Sequence, residues 1–379
     1  MMRICHVITG LNVGGAELAL CGLLETLGQP DSMVVVLGGK GPLSARVAGL
    51  AELHHVGMHA GKAGPRDLLR LRRIMDAQIG RPDVVHAWMY HANLMSSLAL
   101  VGTRIPLIWG VHHSLSDLAS EKRKTRAVIR VNALLSRAPD RIRYVSAVAA
   151  AQHQRAGFAP GRTVVIPNGY DMHRFRPDPD ARSRMRREFE IPDGALTVGM
   201  VARAHPTKDH DNFLQAAAYF HADHPDAVFL LAGEGADDDN PQLSGSIERM
   251  GLRPHIRLCG RRDDIPAVYS ALDIATLSSR GEAFPNAVAE AMACGVPCVS
   301  TNVGDAATIV GDAGVVVPPR DAAALADGWE QLAALAVAAR RSLGMRARQR
   351  ITELFAREAI GHRFSDLYQE LVTSRGKTH

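Results

Sequence analysis

SSRGEAFPNAVAEAMACG, residues 278–295, decides the reading of this chain. It follows the apolar run LDIATL and leads into another, VPCVS. Pro285 suits the first turn of a helix, where its missing N–H costs nothing. Gly295 suits the left-handed stop at the other end. The stretch therefore predicts strand, loop, short helix and strand in succession, with Glu282 in the loop and Glu290 inside the helix. A loop backbone and a helix N-terminus together attract an anion. The two carboxylates beside that end can accept hydrogen bonds from hydroxyls. Phosphate plus sugar hydroxyls is what a nucleotide sugar presents. The plainer reading is an acidic helix start, which needs no ligand; the flanking strands set this segment apart from that case.

Outward from this stretch, short apolar runs alternate with helical patterns. Strand candidates are 3–9, 33–38, 83–87, 106–111, 142–146 and 163–166, then 196–202, 227–232, 255–259, 272–277, 296–300 and 314–317. The alternation implies α/β architecture with parallel, doubly wound sheets and helices on both faces. The two series are separated by a polar, Pro-rich, charged segment at 171–194. It reads as an interdomain connection plus the first surface helix of a second domain. No repeat of solenoid period and no low-complexity tract occurs.

Bulk properties agree. A chain of 379 residues is expected to hold two or three domains. An apolar content of 46% with mean hydropathy −0.04 describes a globular protein. No apolar run reaches the ~18–20 residues needed to cross a bilayer. The opening MMRICHVITGL lacks a long apolar stretch followed by a cleavage site and reads as a first strand, so a cytoplasmic location is expected. Five cysteines, Cys5, Cys21, Cys259, Cys294 and Cys298, fit buried thiols in a reducing compartment. Cys294 and Cys298 have no second ligand pair at zinc spacing. The net charge of +5 is unevenly placed. Residues 121–143 hold eight Lys/Arg against two acids, and Arg182, Arg184, Arg186 and Arg187 form a second cluster. Such a balance favours anionic partners: nucleotide phosphates, polyprenyl diphosphates or membrane headgroups. Read helically, Arg123, Arg126, Arg130 and Arg137 form a stripe beside Val128, Val131 and Leu135, a pattern that can lie in a headgroup layer.

Six segments carry a family resemblance: VGGAE at 13–17, VIPNGYD at 165–171, VARAHPTKDH at 201–210, LAGEG at 231–235, HIRLCGRRDDIPAVYSALDIATLSS at 255–279 and GEAFPNAVAEAMACGVPCVST at 281–301. In this order the chain resembles the retaining glycosyltransferases of family four, strongly over 165–310 and more weakly before. The resemblance implies the GT-B fold, two Rossmann-like doubly wound domains facing across a cleft. It implies an N-terminal acceptor-binding domain over 1–170 and a C-terminal donor-binding domain over 171–354. A C-terminal helix, about 355–379, would pack back on the first domain.

Arg203 and Lys208 follow the strand ALTVGMVA and are placed at the carboxyl edge of a parallel sheet, where ligands bind. Two cations at such a turn can clamp a diphosphate and stabilise charge on a leaving group. The family pattern favours this role over a solvated loop, and it commonly has Gly or Asp after the lysine, here Asp209. Gly14 and Gly15 let a backbone approach phosphate at the start of a helix, and the resemblance sets them against the donor diphosphate or acceptor. Glu17 reads as a helix-start carboxylate. His112 and His113 end the strand PLIWGV; His112 continues the strand register and is the candidate near the transferred sugar. His86 and His91, with Trp88, are candidates for the acceptor side. The resemblance also implies that backbone near Arg261 receives the nucleobase, that Phe284, Pro285 and Asn286 line the donor site, that Glu290 holds the ribose and that Glu282 holds the donor sugar. Family members often carry Glu four residues after Gly304, where this chain has Thr308.

No Ser-His-Asp order, HExxH, Walker sequence or strand-end D-x-D appears. The acids Asp237–Asp239 read as solvated, so no metal and no other cofactor is expected. The expected activity is transfer of a hexose or N-acetylhexosamine from a nucleotide sugar, UDP-linked by expectation, to a glycan or polyprenyl-diphosphate-linked acceptor with retention. It would serve polysaccharide assembly, with possible peripheral contact with an anionic membrane. Two alternatives stand beside it: a nucleotide-sugar epimerase on the same fold, and a basic nucleic-acid binder, for which no RRM, KH or helix-turn-helix signature is present.

Overall fold

Parallel pairing runs through every strand contact that the computed structural model describes, over residues 2–28, 32–59, 64–77, 81–116 and 123–376. The chain divides into two units: residues 1–169 with 357–379, and residues 170–356.

Unit 1 is built on β1 (Ile4–Ile8), β2 (Met33–Val36), β3 (Glu52–His55), β4 (Val84–Trp88), β5 (Leu107–Val111), β6 (Arg141–Tyr144) and β7 (Thr163–Val165). Their order in the sheet is β3-β2-β1-β4-β5-β6-β7. Its central strands are buried on both faces, which is why they read as continuous apolar runs rather than alternating ones. One face packs on helices that include Pro65–Ala77, Tyr90–Ala99 and Arg123–Leu135. The other is covered by Gly15–Leu27 and by Arg357–Gly376, whose Ile360, Phe364, Leu367, Tyr368 and Leu371 enter the same core as Ile4, Val34 and Trp88. Full burial of side chains of this size stabilises by about 1.5–3 kcal/mol each. The sequence candidate 355–370 is thus a helix. It starts two residues later, because Ala356 takes an extended conformation (ψ 138°) and breaks the chain from the preceding helix Val337–Phe355. Residues 377–379 lie outside the described set.

Unit 2 contains β8 (Thr197–Val201), β9 (Val228–Ala232), β10 (Ile256–Leu258), β11 (Ile274–Leu277), β12 (Cys298–Thr301) and β13 (Gly314–Val317), in the order β10-β9-β8-β11-β12-β13. In both sheets the winding reverses once, between β1 and β4 and between β8 and β11. Loops leaving the carboxyl ends of such neighbouring strands diverge and leave a crevice where ligands bind in doubly wound folds.

Three sequence expectations are corrected. The strand β3 is absent from the candidate runs, since ELHH is neither apolar nor alternating; it is an edge strand paired on one side only, to β2. The segment 178–188 is not merely a surface helix. Within Pro179–Glu188, Arg182 donates to the carbonyls of Ser270, Ala271 and Leu272 and pairs with Asp273. Arg186, buried, donates to Thr197 Oγ1 and to the carbonyls of Pro192 and Ala195. Half of that arginine cluster therefore satisfies the end of the helix Ile265–Ala271 and the start of β8 rather than an anionic partner. The basic run 121–143 is likewise split: Arg143 is buried and Arg141 pairs with Glu370, while residues 121 and 122 lie outside the described set.

Candidate functional site

The loops that leave β8 and β11, on the two sides of the reversal in unit 2, are tied together. Ser278 Oγ donates to the carbonyls of Lys208 (2.8 Å) and Asp209 (3.1 Å). The amide of Arg280 donates to Thr207 O at 2.8 Å. From β12, Thr301 Oγ1 donates to Ser279 O at 2.8 Å. Asp209 sits in the left-handed region (φ 55°) and starts the helix His210–Asp223. That conformation is tolerated better by Asp than by most residues. The buried Asp209 carboxylate takes both Nε (2.7 Å) and Nη2 (2.6 Å) of Arg280, a two-pronged pair that fixes both loops.

Lys208 and Glu282 meet across this junction, Nζ to Oε1 at 2.5 Å, and Ser279 Oγ donates to the same oxygen at 2.7 Å. Both side chains are largely but not wholly buried. An ammonium, a carboxylate and a hydroxyl converge there, five residues beyond Arg203, which is exposed on the same loop. Beneath the loop, Gly304 adopts φ 55°, and a Cβ at that position would stand 2.6 Å from Ala283 O and 2.7 Å from Glu282 O. Only glycine lets the chain after β12 support the Glu282 backbone this closely.

The helix Asn286–Ala293 follows. Pro285 is the residue before the helix rather than its first member, with φ −77° and ψ 87°. It still fits there, because a proline N–H is not needed at a helix start. Gly295 is left-handed (φ 76°), as its place at the stop requires, and Arg348 donates to the carbonyl of Ala293. Val288, Ala289, Ala291, Met292 and Ala293 are buried. Glu290 is half-buried; Tyr269 Oη donates to its Oε2 at 3.3 Å, and Tyr170 Oη donates to Asn286 Oδ1 at 2.6 Å. Burial pushes the Glu290 carboxyl up to about 7, against the opposing pull of the Tyr269 hydrogen bond and of Arg174. Phe284 is buried with its ring 5.6 Å from that of Phe355, so only its backbone is offered outward. Arg261 is exposed beyond β10. Thus Lys208, Glu282 and the start of the Glu290 helix are brought together. Ser279, Arg280, Tyr170 and Tyr269, absent from the sequence candidates, complete the arrangement; of these, only the Ser-Ser at the end of LDIATL was a visible signal.

In unit 1 the candidates separate. Gly14 precedes the helix Gly15–Leu27, and a Cβ on Gly14 would lie 2.5 Å from Glu17 Oε2. The Glu17 carboxylate therefore already covers this helix end, in keeping with the helix-start reading. His112, half-buried beyond β5, stacks on Trp88 (ring centroids 5.2 Å) and receives Nη1 of Arg143 at Nε2, 2.5 Å. His113 stands edge-on to Tyr90 at 6.1 Å. His91 is exposed on the helix Tyr90–Ala99. His86 is corrected: it is 0% exposed on β4, with Nδ1 against Tyr368 Oη at 2.8 Å, so it is a core residue and cannot meet an acceptor. β4 is a central strand covered on both faces, and neither register position reaches solvent. Among the described residues no group of three or more His, Cys, Asp or Glu side chains is placed to hold a metal ion, and no helix is long and apolar enough to cross a membrane.

Comparison with known proteins adds the following. Residues 13–174 match the family model for Glycosyltransferase Family 4, and residues 195–334 match that for Glycosyl transferases group 1. The chain is 27% identical over 314 residues to a D-inositol 3-phosphate glycosyltransferase of Salinispora tropica, covering 77% of this chain and 65% of that one. It is 31% identical over 146 residues to the Escherichia coli UDP-Gal:alpha-D-GlcNAc-diphosphoundecaprenol alpha-1,3-galactosyltransferase, covering 38% of each. The matches thus span less than two thirds of these relatives' own lengths. Among solved structures, Anabaena Alr3699/HepE in complex with UDP superposes with a TM-score of 0.85 at 21% identity, over 97% of this chain and 100% of that one.

Proposed function

This chain belongs to the family four, group 1 glycosyltransferases with the GT-B fold, and from that premise we propose that it transfers a hexose or N-acetylhexosamine from a UDP-sugar to a hydroxyl acceptor with retention of configuration. The observation that carries the proposal is the meeting of Lys208, Glu282 and Ser279 at the β8/β11 reversal, directly before the helix that bears Glu290.

In this reading unit 2 receives the donor. Lys208 leaves Glu282 for the diphosphate, Arg203 joins it, and the N-terminus of Asn286–Ala293 adds its partial positive charge. Glu282, released, accepts hydrogen bonds from the donor sugar, and Glu290 accepts them from the ribose. The bond from the anomeric carbon to the diphosphate oxygen breaks. The acceptor oxygen bonds to that carbon on the same face, and its proton passes to the departing diphosphate. Two side-chain cations and a helix end meet the charge of the leaving group, so this reading calls for no metal. UDP as the nucleotide is supported by the solved HepE–UDP complex, and a lipid-linked acceptor by the E. coli relative, whose name specifies a diphosphoundecaprenol.

Unit 1 would take the acceptor, a glycan or a polyprenyl-diphosphate-linked saccharide used in polysaccharide assembly at the inner face of the cytoplasmic membrane. The helix Arg123–Leu135 supports peripheral contact there. Val131, Leu134 and Leu135 are exposed beside Arg123, Lys124 and Arg130, whereas Val128, expected on the same apolar face, packs into the core.

The test is incubation with a panel of nucleotide sugars, with and without lipid-linked acceptor, followed by determination of the product's anomeric configuration. Acceptor-dependent release of UDP with retention is expected. Conversion of the donor without any acceptor would instead favour an epimerase, and no binding of any nucleotide sugar would overturn the proposal.

A further inference from the structure

Arg143 is one of the largest fully buried side chains in the protein, at 1% exposure. It enters unit 1 from β6, whose alternation sends Ile142 and Tyr144 to one face and Arg141 and Arg143 to the other. Its Nε donates to Ile166 O at 2.7 Å and its Nη2 to Pro167 O at 3.1 Å. Its guanidinium lies over the Phe364 ring, 5.2 Å from the centroid. The remaining nitrogen, Nη1, lies 2.5 Å from Nε2 of His112 and 3.5 Å from its Nδ1. Among the described residues its polar partners are carbonyls, the Asn168 amide oxygen and this imidazole; none is a carboxylate. A buried cation without an anionic partner is costly, and such a cost is retained where the charge acts on something.

Guanidinium only donates. Nε2 is the nearer ring nitrogen, so it presents the lone pair to Arg143 and leaves the ring proton on Nδ1. An imidazolium would place two cations in direct contact. The ring is also held flat on Trp88, with 26° between planes, which fixes its orientation as well as its tautomer.

We propose that Arg143 is a positioning residue for His112, holding the imidazole neutral, oriented and protonated on Nδ1, so that it offers a hydrogen-bond donor to a sugar oxygen. The part played by the sugar rests on the proposed glycosyl transfer and on the sequence-based expectation that His112 lies near the transferred sugar; the state of the ring does not. Burial, and then Arg143, both lower the His112 pKa well below the ordinary histidine value. The groups around the pair reinforce this. His86 on β4 and His6 on β1 are buried and held neutral, and from the helix Arg357–Gly376 come Tyr368, a neutral phenol, and Arg363, a second cation. No acid among them would draw a proton onto His112.

The experiment is nitrogen NMR on the whole protein with labelled histidine, with the His112 signal identified by its loss in His112→Gln. In the wild type, Nε2 is expected unprotonated and Nδ1 protonated, with no imidazolium at a pH of about 5.5. In Arg143→Met the titration should move up but stay below the ordinary histidine value, because burial, the larger cause, remains. In Arg143→Lys, which keeps the cation, it should stay low. The acid limb of the transfer rate should move with the NMR midpoint in Arg143→Met and return in Arg143→Lys, while UDP binding is unchanged. A wild-type ring protonated on Nε2, or titrating near 6.5, overturns the proposal even if Arg143→Met fails to fold. So does a folded Arg143→Met whose His112 titrates as in the wild type. Normal transfer by His112→Gln, with the wild-type ring state as described, would leave Arg143's action on the ring standing and remove only the sugar-side role of His112.

Discussion

Glu290→Gln should make the ligand-free protein more stable and the nucleotide complex weaker, and both effects should depend on pH. Burial raises the Glu290 carboxyl from 4.5 to about 7. A raised carboxyl favours the protonated form in the folded state. Its contribution to stability is therefore fully present below pH 4.5 and is lost as pH rises through about 7. Near pH 8.5 the ionised group costs at most roughly 3 kcal/mol, at 1.36 kcal/mol per pKa unit, a ceiling because the side chain is not wholly enclosed. Glutamine is always neutral and keeps an oxygen for Tyr269. It should raise the melting temperature of unit 2 by several degrees at pH 8.5 and by little at pH 5, at roughly 2–4 °C per kcal/mol for a unit of this size. Ribose hydroxyls, in contrast, bind the carboxylate best. Calorimetry with UDP should show wild-type affinity rising between pH 6 and 8. The variant should be flat and weaker by about 1.5–3 kcal/mol, or roughly tenfold to a hundredfold. An unchanged melting curve together with wild-type UDP affinity at pH 8.5 would refute the assignment of Glu290 to the ribose.

Arg203→Ala and Lys208→Ala should each slow transfer by about 10²–10³-fold in a folded protein, the range for loss of an electrostatic stabiliser; steady-state rates of the double variant at wild-type speed would dismiss the diphosphate role. Asp209→Gly keeps the left-handed turn but frees Arg280, so it should fold with a mobile Glu282 loop and a raised donor KM; Asp209→Ala should cost a further 1 kcal/mol or so in denaturant titration, because alanine is strained at that φ. Vesicle co-sedimentation should need anionic lipid and fall with salt, and changing Arg123, Arg126, Arg130 and Arg137 to Gln should reduce it; equal recovery with neutral vesicles would point to a soluble acceptor.

The parallel winding of both sheets was legible because buried strands are nearly all apolar, and the runs that form β1, β2, β4 and β5 and those from β8 to β13 stand out against polar helix faces. The edge strand β3 was not, since half-exposed pairing leaves no apolar signature. The Glu282–Glu290 segment and Lys208 were legible because their spacing sits on a strand–loop–helix grammar. Their mutual ion pair was not, because 74 residues separate the partners and only the reversal of strand order between β8 and β11 joins their loops. The burial of Arg143 was not legible, since it falls in the basic run 121–143 that favours anionic partners. Its neighbours in sequence are basic, but the cover over it, Phe364 and Tyr368, comes from the far end of the chain. The burial of His86, a candidate for the acceptor side, was hidden for a related reason: Tyr368 of the same helix closes over it.

That helix has a consequence for biosynthesis. Unit 1 is discontinuous, and residues 357–376 leave the ribosome only after all of unit 2. At about 5–20 residues per second, the sheet of unit 1 waits for roughly ten to forty seconds with the face around Ile4, Val34 and Trp88 uncovered. Unit 2, which is continuous in sequence, can complete its own core during that interval. The half of the protein that is made first is therefore finished last, and a nascent chain stalled before residue 357 would present a bare apolar face suited to capture by a chaperone.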